Sequence, residues 1–225
     1  VPFYIAVTLV LRPTVSPLQL VETLGTIAGL ASFGYSLNEI ADRKSDSRAG
    51  RLNSASRLTS TEKCLFLLLT SGVAMALSLS LASDYVPTLF ILACLILSIA
   101  YSAPPIRLKE RGINGLVAPA VAQWSLPIIA IAAFEPGAWT KPPALCFPLL
   151  GLALGVRWMG IHQVHDHWND RVSGVRTYSS LGRPLLRIIV LALLAEIVLL
   201  LLLLWVTWPR LSGVAATLLV WNAIE

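Results

Sequence analysis

Asn38, Asp42 and Asp46 recur at four-residue intervals, and Asp166 and Asp170 repeat the same step late in the chain. On an α-helix, residues four apart share one face, about 6 Å apart along the axis. Each set therefore forms a strip of oxygen ligands, and His162 extends the second strip by one turn. Carboxylates are hard donors suited to Mg²⁺, which takes one or two of them and completes its shell with water and phosphate oxygens. Two strips facing one another across a helical bundle would hold metal around a diphosphate and neutralise the charge that grows as it departs. A single D-x3-D is ordinarily a solvated helix end or a salt-bridge partner for arginine. Two copies, each beside an apolar span, favour the metal.

Between the strips runs Tyr101-Ser102-Ala103-Pro104-Pro105-Ile106-Arg107-Leu108-Lys109. Its prolines lack donors and forbid a continuing helix, so the chain turns there and carries Arg107 and Lys109 beside the span that precedes it. Arginine offers a fork to phosphate oxygens and lysine a point charge. Alone, the two would read as ordinary anchors at a membrane edge.

The elements that position these groups are membrane spans. Hydrophobic residues make up 56% of the 225, charged residues 13%, and the mean hydropathy is +0.75. A soluble domain carries about 25% charged residues. Windows long enough to cross the hydrocarbon fall at 15–37, 62–82, 86–101, 112–134, 142–160 and 184–208, with 86–101 short for a full crossing. The apolar runs 1–11 and 211–224 are too brief to span, so the chain reads as an excerpt cut inside a helix at each end.

The connections 39–63, 102–111 and 157–187 hold all of the 17 Lys and Arg except Arg12, Lys141 and Arg210. By the positive-inside rule that face is cytoplasmic, and both acidic strips lie on it. The net charge of +5 then reports topology and anion capture. Nucleic-acid binding would need a basic surface lined with aromatic rings, and no such surface is indicated. Cys64, Cys94 and Cys146 are scattered without a C-x2-C and read as packing. Glu196 falls near mid-bilayer, where a carboxylate is usually functional or partnered; a polar contact inside the bundle is expected, burial favouring its protonated form.

Taken together, Asn38-x3-Asp42-x3-Asp46, the Tyr101-Ser102-x-Pro104-Pro105-x3-Lys109 loop and Asp166-x3-Asp170-x3-Gly174-x2-Thr177 resemble the UbiA superfamily of intramembrane prenyltransferases, over essentially the whole chain. The resemblance implies an all-α, multispan transmembrane bundle of about nine helices round a central cavity. Residues 1–225 would be a single domain truncated at both ends, with roughly seven to eight helices represented. It also implies transfer of an isoprenoid chain from a prenyl diphosphate to a lipophilic or aromatic acceptor, most readily an aromatic or quinone precursor.

On that resemblance Asp42, Asp46, Asp166 and Asp170 are catalytic and, with Asn38, hold Mg²⁺. Tyr101, Ser102, Arg107 and Lys109 bind the diphosphate, with Arg43 a further candidate. Phe33, Tyr35, Trp124, Trp158 and Trp168 are available to stabilise an allylic cation or to serve as interfacial belt residues. The expected location is an integral, multi-pass membrane protein among lipids, its active-site loops cytoplasmic, in the plasma membrane if prokaryotic. Two departures bear on the acceptor: Glu39 follows Asn38 where many members have Asp, and 47–53 lacks an Arg-Pro step. The alternatives are a cation-coordinating transporter or channel, a related enzyme acting on a phosphoglycerol lipid, a head-group phosphotransferase, and a scaffold without catalysis.

Overall fold

The computed structural model of the chain describes residues 2–135, 137–173, 182–207 and Val220, with the side chains of 168–173 outside the description. Seven helices form among them: α1 (Pro2–Leu11), α2 (Pro17–Arg48), α3 (Ser60–Leu81), α4 (Val86–Ser102), α5 (Asn114–Ala133), α6 (Pro143–Ser173) and α7 (Arg183–Thr207). The all-α bundle expected from the sequence is what forms. The apolar run 211–224 lies outside the described residues apart from Val220.

Local sequence sets the helix starts. Ser16 accepts from the Gln19 amide while Gln19 reaches back to the Ser16 N–H, with Pro17 at the first helical position. Thr59 and Glu62 make the same reciprocal pair at the start of α3. Four helices, α3, α5, α6 and α7, are long and apolar enough to cross a membrane. Leu65, Leu68 and Leu69 on α3 and Val190, Leu191, Leu194 and Val198 on α7 are exposed, an outer surface suited to lipid. Helix α2 has the length, 32 residues, but carries polar and charged side chains along it.

Small residues bring the helices together, since apolar side chains gain little by leaving lipid for one another. Gly25 and Gly29 of α2 press on α3, and a Cβ on Gly29 would lie 2.9 Å from the Thr70 carbonyl oxygen. Gly151 and Gly155 of α6 do the same against α5, where a Cβ on Gly155 would meet Ala120 Cα at 2.7 Å.

Two expected boundaries move. Helix α2 continues past 37 to Arg48 and α6 past 160 to Ser173, so both acidic strips ride on unbroken helices. Arg157, assigned from sequence to a basic connection, therefore sits inside α6. It is 5% exposed, and its Nε lies 2.8 and 3.0 Å from the two carboxylate oxygens of Glu196 on α7, itself fully buried. The polar contact expected for Glu196 is thus a close pairing with Arg157 across two helices.

Removing one partner of this pair strands a charge in a dry interior. Arg157→Met or Glu196→Leu alone is expected to cost about 3–5 kcal/mol, and the double substitution to recover most of that. Thermal unfolding in detergent measures both; single variants as stable as the parent would refute a structural role for the pair.

Candidate active site

Helix α2 supplies the first strip. Asn38 Oδ1 accepts from Lys109 Nζ at 3.0 Å and from Ser102 Oγ at 3.4 Å. One turn on, Asp42 Oδ1 accepts from the same Lys109 ammonium and from Arg107 Nη2 at 3.1 Å. An amide oxygen and a carboxylate oxygen four residues apart thus converge on one cation.

Lys109 reaches them because the Pro104-Pro105 step ends α4 and Arg107 adopts a left-handed backbone (φ 43°), reversing the chain towards α2. Arg107 also bonds Glu110. Lys109 is 7% exposed. Burial pulls its ammonium below the ordinary lysine range, and the Asp42 carboxylate opposes that shift.

Asp46 takes a different partner. The loop after α2 folds back so that Asn53 Nδ2 donates to Asp46 Oδ2 (2.7 Å) and to the Glu39 carbonyl (2.8 Å). The Glu39 carboxylate accepts from the Ser54 amide and hydroxyl. Glu39, a departure at the sequence level, is therefore a clamp on this loop. The clamp delivers Arg51 to the second strip: Arg51 Nη2 is 3.4 Å from Asp166 Oδ1, while His162 Nε2 is 3.1 Å from Asp166 Oδ2. The side chain of Asp170 lies outside the described residues. Among the described residues no three His, Cys, Asp or Glu side chains gather as a metal site. The carboxylates are instead matched by Lys109, Arg107 and Arg51.

A cavity of about 280 Å³ opens beneath these groups. Asn38, Tyr101, Ser102 and His162 line it, so both strip-bearing helices and the proline loop's span share one space. Tyr35, Trp124 and Trp158, proposed from sequence as aromatic walls, line it too, whereas Phe33 is buried in the core and Trp168 is not described. Arg43 is absent from the lining, as are Asp42, Asp46, Arg107, Lys109 and Asp166, of which Lys109 and Asp166 adjoin it through Asn38 and His162. A step of one residue rotates the side chain by about 100°, so Asp42 and Arg43 cannot face the same way; Arg43 borders a separate hollow with Lys44, Arg48 and Arg51.

Sequence reasoning missed what shapes the cavity wall on α5. Pro119 and Pro127 withhold the N–H groups that would bond the carbonyls four residues earlier, Gly115 and Gln123. Side chains from other helices fill both vacancies: Gln163 Nε2 donates to Gly115 O at 3.2 Å, and Tyr4 OH donates to Gln123 O. Between the prolines Val121–Ser125 widens into a π-turn, which presents Gln123 and Trp124 to the cavity. The two prolines were the available signal.

The model for the UbiA prenyltransferase family matches residues 1–224. The chain belongs to that family. A UbiA homolog from Archaeoglobus fulgidus, solved with DMAPP and Mg²⁺, superposes with a TM-score of 0.74 at 18% identity, over 99% of this chain and 81% of that one. The same homolog solved with GPP and Mg²⁺ gives 0.71 at 17% identity, over 99% and 81%. With Cd²⁺ it gives 0.73 at 17%, over 99% and 81%. At these identities the likeness shows the UbiA fold. None of the curated proteins compared matches the chain. Membership in a prenyltransferase family, with Glu196 bonded to Arg157, displaces the transporter reading.

If the proline-freed carbonyls pin α1 and α6 to α5, Tyr4→Phe and Gln163→Leu should each destabilise the protein by about 1–3 kcal/mol. Pro127→Ala restores an N–H next to Gln123 O, so Tyr4→Phe should cost less in that background. Equal losses in both backgrounds, measured by thermal unfolding, would show that the carbonyl is not what Tyr4 serves.

Proposed function

We propose that this UbiA-family protein is a Mg²⁺-dependent prenyltransferase that ionises a prenyl diphosphate at the mouth of the cavity and transfers the isoprenoid chain to an aromatic or quinone-precursor acceptor inside it. The observation that carries the reading is the convergence of Asn38 Oδ1 and Asp42 Oδ1 on the Lys109 ammonium, at the rim of a space walled by aromatic rings. The donor set fits a hard cation, because amide and carboxylate oxygens already meet at one positive group. The Archaeoglobus fulgidus homolog solved with DMAPP or GPP and Mg²⁺ supports the same assignment.

Asn38, Asp42 and Asp46 would hold one ion, and Asp166 with Asp170 the other. Bound Mg²⁺ supplies neutralisation of the diphosphate charge as the allylic C–O bond breaks. Lys109 and Arg107, released from Asp42, turn to the phosphate oxygens, where their charge counts most as the leaving group departs. Tyr101 and Ser102 stand on the cavity side of the same loop. Trp124, Trp158 and Tyr35 offer ring faces to the allylic cation and leave little room for water. The proton lost by the acceptor carbon goes to the His162 imidazole, which lines the cavity and is oriented by Asp166. The basic connections favour a cytoplasmic mouth by the positive-inside rule.

Purified protein given labelled prenyl diphosphates and a panel of aromatic and phosphoglycerol acceptors should yield prenylated product and pyrophosphate. A chelator should abolish turnover, and Asp42→Asn or Asp166→Asn should lower it at least about a hundredfold, the scale of losing one charge-stabilising group. Undiminished release in both variants would defeat the reading, and product formed only with phosphoglycerol acceptors would replace the aromatic one.

A further inference from the structure

The hollow that receives Arg43 is not explained by prenyl transfer. Its lining, Arg43, Lys44, Ser47, Arg48, Arg51 and Asn53 among others, borders an open space of about 750 Å³ and shares no residue with the aromatic cavity. Four cations border it and no carboxylate does. Among the described residues Arg43, Lys44 and Arg48 have no ion-pair partner, while Arg51 is held by Asp166. Like charges crowded round one space repel unless an anion joins them.

The frame is built before any ligand arrives. Asn53 is fixed by its bonds to Asp46 and to the Glu39 carbonyl, and Ser54 by the Glu39 carboxylate. The Ser47 hydroxyl adds a neutral donor, while the Ser56 hydroxyl donates to the Asn53 carbonyl and holds the loop. This is the composition of a phosphate site, with cations for charge and a hydroxyl for direction.

Depth and one apolar side chain indicate where the phosphate comes from. Helix α2 has 32 residues. At 1.5 Å per residue that is about 48 Å, against a hydrocarbon slab of about 30 Å. Its last turns, which carry Arg43, Lys44 and Arg48, therefore rise out of the slab to the level of lipid headgroups. Leu52, on the rim of the hollow, is 97% exposed. A leucine so exposed loses nothing by meeting an acyl chain, and a ligand with a phosphate and an apolar tail would satisfy both the cations and Leu52.

We propose that this hollow binds the phosphate headgroup of an anionic bilayer lipid through Arg43, Lys44 and Arg48, beside the prenyl diphosphate site that Arg51 and Asn53 adjoin. The proposal does not depend on the reaction assigned above.

The full chain, reconstituted in nanodiscs, is extracted and its retained lipid counted by native mass spectrometry. Phosphatidylglycerol should be retained over phosphatidylcholine, and Lys44→Gln/Arg48→Gln should weaken retention about thirtyfold, as expected for two juxtamembrane cations worth about 1 kcal/mol each. Arg57→Gln/Lys63→Gln, which removes the same charge from neighbouring positions outside the hollow, should leave retention unchanged. Unchanged thermal unfolding in detergent certifies that each variant is folded. Equal losses in both double variants would reduce the effect to net charge and overturn the site. Displacement of the lipid by millimolar inorganic phosphate would overturn the lipid assignment in favour of a soluble anion.

Discussion

A charge withdrawn from water must be answered by an opposite charge nearby, and this demand organises both ends of the structure. At mid-bundle Glu196 and Arg157 answer each other across two packed helices. At the basic face Asp42 is answered by Lys109 and Arg107, and Asp166 by Arg51 and His162. The difference is access. The first pair is sealed, so it can only hold helices together. The second set is partly exposed and reaches the cavity through Asn38 and His162, so on the proposed reading its cations can be exchanged for metal and its side chains turned to phosphate.

The same demand extends to the backbone. Two prolines in α5 leave carbonyls without donors, and in a membrane no water can supply them. Tyr4 and Gln163 do so from α1 and α6, which ties three helices round the cavity wall. Glycines at Gly151 and Gly155 let α6 approach closely enough for that bond to form. The π-turn between the prolines is then a feature held from outside, and the side chains it presents, Gln123 and Trp124, face the space where chemistry is proposed.

Much of the site was legible from side-chain type and spacing. Four-residue periodicity placed Asn38 with Asp42, and the Pro-Pro turn identified Lys109 as a group that would return to the same place. Spacing could not say how far a helix continues past an apolar run, because charged residues extend a helix as readily as they end a span. Arg157 was misassigned for that reason. Nor could it reveal that Asp46 turns to Asn53, since the loop that brings Asn53 back is fixed by Glu39, a contact across 14 residues.

What the sequence determined by itself was the solvent, the helical class, the placing of the acidic strips and the family, all of which follow from composition and local order. The tertiary structure alone decided which cation meets which carboxylate, where the cavity opens and why Arg43 borders a separate hollow. Those outcomes depend on the rotation and closeness of helices distant in the chain, which are set by glycine contacts and by polar atoms seeking partners in a medium that provides none.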